Sequence, residues 1–412
     1  MCMVEAGHQE KRAPMRIAYL TSRIPYPPIG GDRLRVFHSI RFLLRSHEVT
    51  LYAIGSRLGG MAGMGTSKPP GLKEKLFRIS PAGYGWNALE GVFSNLPLQV
   101  KLYENKNLLR ALACDVERGQ VDVLFVHLVR MAEYARPFTR LPRILDMTDS
   151  IHLNYSRMSP KVLTPLWLAA KVDCERLARY EALVPDWFDR ILITSAVDQE
   201  WVQKRSGHAN FVLVPQGVEL EDFPMPCQAA KNKRIVFFGK LNTLPNGDAA
   251  LYFAREVFPL VKRSVPEAEF VVAGWGPPPA VRRLAGLPGV AVKANLPALQ
   301  PEIIQSAVSV APMRFGAGIQ TKIVESLALG VPVVASPEAA LPYGEMDQGP
   351  ILVGRTTEEL AEHVIHVLSD VVFRERLRGV GRALVESKYA WERVLAPVDR
   401  ILEEFRARRL AT

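Results

Sequence analysis

The chain has 412 residues, 48% of them hydrophobic and 23% charged, which excludes wholesale disorder and a collagen-like chain and fits a globular protein of two or three domains. Its 52 Lys+Arg outnumber 42 Asp+Glu, a net charge of +10. Residues 1–110 hold 16 bases and 7 acids, 111–215 hold 13 of each, and 216–412 hold 23 and 22, so nearly all the excess lies in the first quarter. Such a face suits nucleic acid, anionic lipid or a phosphorylated ligand, or simply keeps the chain in solution. The start (1–14) has no apolar core of signal-peptide type, and no run reaches the ~18 uncharged apolar residues of a spanning helix. Four cysteines (Cys2, Cys114, Cys174, Cys227) lie far apart with no CxxC pair, which argues against a zinc site or a disulfide framework and fits a reducing cytoplasm.

Short apolar or β-branched runs predict strands at 16–21, 48–54, 121–126, 143–146, 190–194 and 211–214, and then at 235–238, 269–273, 290–292, 307–311, 331–335 and 351–353. Helical patterns between them fall at 32–45, 106–118, 162–183, 248–263, 319–329 and 358–368. Alternation of strand and helix predicts parallel sheets of βαβ units. The runs are continuously apolar, as expected of strands buried on both faces. Twelve strands exceed one doubly wound sheet, and the loop-like stretch 216–233 marks the break. The Gly- and Met-rich stretch 57–70 reads as a loop.

Four segments carry candidate chemistry. The first is 25–32 (PYPPIGGD), between the first strand and first helix. Gly30 and Gly31 lack a Cβ and allow a ligand close to the backbone, and the helix start beyond them suits a phosphate. A tight βα turn explains the same residues, and the segment is neither GxGxxG nor a Walker loop. The second is the strand 235–241 (IVFFGKL), which ends in Gly239-Lys240. Ligands of open α/β sheets bind beyond the carboxyl ends of strands, where Lys240 places a cation. A solvated loop lysine is the plain alternative.

The third segment, 314–335, is the most informative: a Gly-containing turn, a helix, Gly330 as a stop, and a strand. Gly316 and Gly318 place amides at a helix start. Lys322 and Glu325, three apart, share a helix face. The carboxylate can accept two ribose hydroxyls, and Arg314 and Lys322 can neutralise phosphates. A surface i,i+3 pair would be worth little. The fourth segment, 146–152 (DMTDSIH), gathers Asp146, Asp149 and His152 past a strand end, and His127 ends the strand before it. Helix caps and structural histidines are the alternatives there.

Together these residues resemble family 4 retaining glycosyltransferases of the GT-B fold, whose donor element runs Glu-Gly-Phe-Gly…Glu-Ala…Gly-Pro-Val-Val. Phe315-Gly316, Glu325, Gly330 and the run 331–334 (VPVV) match it. So do the glycine loop at 25–31, HEVT at 47–50, VPQGV at 214–218, FGKL at 238–241 and YAW at 389–391. The run 314–325 and PNGDA at 245–249 are similar to exopolysaccharide- and exosortase-associated sugar transferases. Where the family carries the first Glu of a Glu-x7-Glu pair, this chain has Ala317. A second lysine usual after the Gly-Arg/Lys element is missing from 242–248.

The resemblance implies two Rossmann-like domains facing each other across a cleft: an acceptor-side domain at 1–215, a donor-binding domain at 216–388, and a last helix within 389–412 packing back on the first. It implies a donor set of Gly30, Gly31, Gly239, Lys240, Gly274, Arg314, Gly316, Gly318, Ile319, Lys322 and Glu325, with Lys240, Glu325, Asp149 and His127 as catalytic candidates. The co-substrate is then a nucleotide-diphosphate sugar, with no metal or other cofactor. The acceptor is a glycan or polyprenyl-linked hydroxyl, and the enzyme is cytoplasmic, with peripheral contact to anionic membrane. No nucleic-acid motif accompanies the basic segment. A nucleotide-sugar epimerase and a non-catalytic nucleotide-sugar-binding protein fit the same architecture.

Overall fold

The computed structural model describes residues 13–28, 30–55, 68–156, 165–315, 320–343 and 349–410. Its strands form two sheets. The first contains β1 (Arg16–Thr21), β2 (Glu48–Ile54), β3 (Lys73–Phe77), β4 (Val123–His127), β5 (Arg143–Thr148), β6 (Arg190–Ile193) and β7 (Phe211–Leu213), in the order β3-β2-β1-β4-β5-β6-β7. The second contains β8 (Arg234–Lys240), β9 (Glu269–Trp275), β10 (Val290–Ala294), β11 (Val308–Ala311), β12 (Val333–Ala335) and β13 (Ile351–Val353), in the order β10-β9-β8-β11-β12-β13. Both begin 3-2-1-4-5-6, the doubly wound order in which the strand sequence reverses beside the first strand of each sheet. Pairing is parallel in β1–β2, β1–β4, β8–β9 and β8–β11. The expected α/β class is what the chain adopts.

The second sheet shows why its strands read as unbroken apolar runs. Successive side chains of a strand point to opposite faces. Ile235 and Phe237 join one core with Phe253, Phe270 and Ile323, while Val236 and Phe238 join another with Val271, Ile303 and Leu329. The helical pattern over 248–263 becomes a helix Leu244–Tyr252, a π turn Phe253–Val257 and a helix Phe258–Ser264. Pro259 has no N–H to continue a regular ladder, and the wider turn absorbs the break.

Compactness divides the chain into Met1–Asp146 with Val184–Ile191, and Met147–Leu183 with Leu192–Thr412. The two sheets divide it between Leu213 and Arg234. Within the second unit the segment after β7 is tied to the start of the last helix (Trp391–Leu410). Val218 N–H bonds Tyr389 O at 2.8 Å, and Trp391 N–H bonds Val218 O at 3.3 Å. A Cβ on Gly217 would stand 2.6 Å from the Trp391 ring, so glycine is required for that contact. Val394, Leu395, Val398, Ile401, Leu402 and Phe405 make the buried stripe of the last helix.

Several described elements escaped the sequence reading, among them the helices Ala196–Ser206 and Val371–Leu384 and two elements of the first unit. β3 (KEKLF) is a charged edge strand, guarded by lysines against further pairing. The helix Pro81–Val92 contains three glycines, poor helix formers, and is started by Pro81 and by Ser80, whose Oγ accepts from Gly83 N–H at 3.0 Å. Of the stretch read as a loop at 57–70, residues 57–67 lie outside the described residues.

Candidate functional site

In the second sheet the strand order reverses between β8 and β11, and ligands of such sheets sit beyond the carboxyl ends there. β8 ends at Gly239-Lys240. Gly239 pairs in register with Gly274 of β9, and a Cβ on Gly274 would lie 1.9 Å from Gly239 O. Gly274 therefore acts through backbone packing: no side chain fits, and its φ of 156° is one that L residues rarely adopt. Gly239 faces Asn246 and Lys322, with the Asn246 amide nitrogen 3.3 Å and Lys322 Cε 3.7 Å from where its Cβ would be. Lys240 is exposed, and no described side chain pairs with it.

The helix Thr321–Ala328 carries the pair expected from sequence. Lys322 is buried; its Nζ donates to Asn246 Oδ1 at 2.7 Å and Gln320 Oε1 at 3.3 Å and lies 4.9 Å from the Phe237 ring centroid. Burial drives its pKa well below the usual lysine value, against the pull of Glu325. Glu325 is half-buried, and burial raises its carboxyl above the usual range, offset in part by Lys322 and by a bond from Thr321. Asn246 is the organiser: its Nδ2 donates to Lys240 O at 3.1 Å while its Oδ1 receives Lys322. Tyr343 O–H donates to Gln320 O at 2.8 Å and fixes the entry to the helix.

Arg314 is placed differently from a free phosphate cation. Its guanidinium grips Asp248 in two bonds of 2.8 and 2.5 Å and lies over the Tyr252 ring at 5.0 Å. Gly316, Gly318 and Ile319, with Ala317, lie outside the described residues. Sequence reasoning missed Asn246, Asp248, Gln320 and Tyr343 as site residues. The first two had a signal in the PNGDA run and Gln320 one in the run 314–325; Tyr343 had none.

The first unit has its own polar group where its strand order reverses, between β1 and β4. His127 ends β4 opposite Asp146 in register, with Nδ1 3.4 Å from Asp146 Oδ2. Arg35, from the helix Gly31–Leu43, donates Nε–H to Asp146 at 2.9 and 2.7 Å. All three are fully buried. Burial alone would raise the Asp146 pKa, but Arg35 and His127 outweigh it and hold it at about 2. His127 Nε2 has no hydrogen-bond partner among the described residues, and the ring lines a small depression with Thr21, Ser22, Arg23, Asp32 and Arg33.

Leu128, directly after His127, has φ 70°, and Thr148, ending β5, has φ 68°. Positive φ at a β-branched residue is an outlier that accompanies functional sites. Gly30, at φ 92°, has open space where a Cβ would stand, as does Gly31, so a ligand has room at this helix start. Asp149 is half-buried in a carboxylate cluster of the second unit, where its charge helps raise Glu181. Burial is the main cause of that rise, to about 7, against the bond from Ser150. His152 stacks on Trp201 at 5.4 Å.

Residues 232–370, which begin just before β8 and run past β13, match the family model described as Glycosyl transferases group 1. No curated protein matches the sequence. Sucrose-phosphate synthase from Thermosynechococcus elongatus superposes with a TM-score of 0.71 at 16% identity, over 96% of this chain and 100% of that one. HepE from Anabaena, solved with UDP and glucose, gives 0.63 at 11% identity over 95% and 100%. A glycosyltransferase from Rickettsia africae gives 0.62 at 10% identity over 95% and 98%. The fold is that of the GT-B glycosyltransferases. In this GT-B chain the matched region contains every described residue of the Gly239–Lys240–Asn246–Lys322–Glu325 group.

Proposed function

We propose that the protein is a retaining glycosyltransferase. It moves a sugar from a nucleoside-diphosphate sugar to a hydroxyl of a glycan or polyprenyl-linked acceptor, in cell-surface polysaccharide synthesis at the cytoplasmic face of the membrane. The observation that carries this reading is the polar group at the carboxyl ends of β8 and β11, inside the region that matches the group 1 family. Two lysines, one exposed and one buried, stand beside a carboxylate and a glycine backbone there. The binding of UDP and glucose by HepE supports the donor class.

In this mechanism Lys240 and Lys322 meet the charge that develops on the departing diphosphate. Preorganised cations in a water-poor site are commonly the largest catalytic term. Glu325 accepts hydrogen bonds from the ribose hydroxyls. The bond from the anomeric carbon to the diphosphate breaks while one to the acceptor oxygen forms on the same face, and the acceptor proton passes to the leaving phosphate oxygen. No protein nucleophile is required. The acceptor is assigned to the first sheet, where His127, held beside Asp146 and Arg35, lines the depression described above.

Lys240→Ala and Glu325→Ala should each abolish transfer while leaving the fold intact. Wild-type turnover in the double variant would overturn the donor-site assignment. Incubation with donor alone distinguishes the neighbouring activities: an epimerised sugar would identify an epimerase. Donor binding without turnover across a broad acceptor panel would identify a binding protein.

A further inference from the structure

The helix Pro81–Val92 of the first unit is turned outward in an unusual way. Trp86 is 62% exposed, Leu89 55%, Val92 59% and Phe93, which follows the helix, 85%. Trp86, Leu89 and Phe93 are spaced three and four apart, so they share one face. Large apolar side chains gathered on a surface mark an interaction site.

The polar atoms on that face are already satisfied from within. Trp86 Nε1–H donates to Glu90 Oε1 at 2.7 Å, Lys101 Nζ donates to Glu90 Oε2 at 3.1 Å, and Lys101 also pairs with Glu104. The indole can therefore leave water without stranding its donor. The flanks are basic. Arg78, three residues before the helix, and Lys106 and Arg110, one turn apart on the helix Lys106–Glu117, are exposed and unpaired among the described residues. They lie close by: Asn105 Nδ2 donates to Arg78 O at 3.1 Å, and the Lys106 charge is felt at Glu90.

We propose that this helix is an interfacial anchor that inserts Trp86, Leu89 and Phe93 into the headgroup layer of an anionic bilayer, with Arg78, Lys106 and Arg110 on the lipid phosphates. An apolar aromatic face bordered by cations is the pattern of helices that lie in the membrane plane. The helix is too short to span, and no described helix is long and apolar enough to cross a membrane. The inference does not depend on the glycosyltransferase reading.

The test is co-sedimentation of the full chain with vesicles of phosphatidylcholine alone or with added phosphatidylglycerol, at low and physiological salt. The wild type should bind the anionic vesicles, weaken as salt screens the charges, and bind phosphatidylcholine poorly. Trp86→Gln/Leu89→Gln/Phe93→Gln should lose about ten-fold or more in affinity, since the apolar area of three large side chains no longer leaves water on binding. Arg78→Gln/Lys106→Gln/Arg110→Gln should lose about five-fold per charge. Unchanged far-UV circular dichroism and melting temperature in both variants would show that these losses are not unfolding. The proposal is overturned by a wild type that ignores anionic vesicles, or by an apolar variant that binds them equally well. A self-association in solution that the apolar substitutions abolish, without vesicle binding, would also overturn it and make the face a contact between copies. Donor binding, measured separately, tests the activity and not the anchor.

Discussion

Lys322 puts a number on what the donor site costs the fold. A lysine that titrates normally near 10.5 is brought by burial to about 7. At 1.36 kcal/mol per factor of ten, that corresponds to at most ~5 kcal/mol of disfavoured charge. The side chain is 5% exposed, so solvent screening removes little of it. Replacing buried ionic groups with apolar ones of similar size is typically neutral or stabilising by ~1–4 kcal/mol. Lys322→Met/Glu325→Gln removes both charges at once, and we expect it to raise stability at pH 7 by an amount in that range.

The sign fixes the pH dependence. Below pH 7 lysine is protonated folded and unfolded, and the whole penalty is present. Between 7 and 10.5 the folded state releases its proton first, so the wild type gains stability as pH rises. The Lys322 share of the variant's advantage should therefore fade from pH 7 towards 10.5. The Glu325 share, whose carboxyl is raised to about 7, appears as pH rises towards 7 and remains above it, so the advantage is largest near pH 7. Urea unfolding at pH 6, 7 and 9 measures it, with donor binding followed in parallel. A variant that is less stable at pH 6, or one that is more stable and still binds donor, would refute the idea that these charges are kept for the ligand and not for the fold.

Other outcomes follow from the same geometry. Gly274→Ala drives a Cβ into Gly239 O and should cost more than ~3 kcal/mol, seen as loss of soluble yield or a large fall in urea midpoint. Asp146→Asn leaves Arg35 buried beside a neutral group and should cost ~3–5 kcal/mol. Because the folded pKa of Asp146 is depressed to about 2, its contribution is present above the unfolded carboxylate value near 4 and is lost as pH falls from there towards 2, which acid titration of the wild type and the variant compares. Donor affinity should peak near pH 7, because a diphosphate needs protonated Lys322 and ribose needs ionised Glu325. A calorimetric titration that is flat from pH 6 to 9 would contradict these two roles.

The fold was legible where burial wrote itself into the sequence. β8, β9 and β11 are covered on both faces and read as unbroken apolar runs, and Lys322 and Glu325 announced themselves by helical spacing. What stayed hidden depends on partners far along the chain. Asp248 captures Arg314 from 66 residues away, and Arg35 reaches Asp146 across 111; spacing carries no trace of either. Asn246 was visible only as part of a motif, since its role as the link between Lys240 O and Lys322 Nζ exists only once the first turns of two helices meet. The helix Pro81–Val92 was missed because its glycines lower helix propensity and its apolar residues face outward, where no core pattern can reveal them.

Binding of the nucleotide sugar tests the central claim most directly. Thermal shift of the wild type against UDP-, GDP-, ADP- and dTDP-sugars should single out one donor. Lys240→Ala/Glu325→Ala should melt normally and lose that shift. A wild type unmoved by every donor, or a double variant that retains the full shift, would contradict the account.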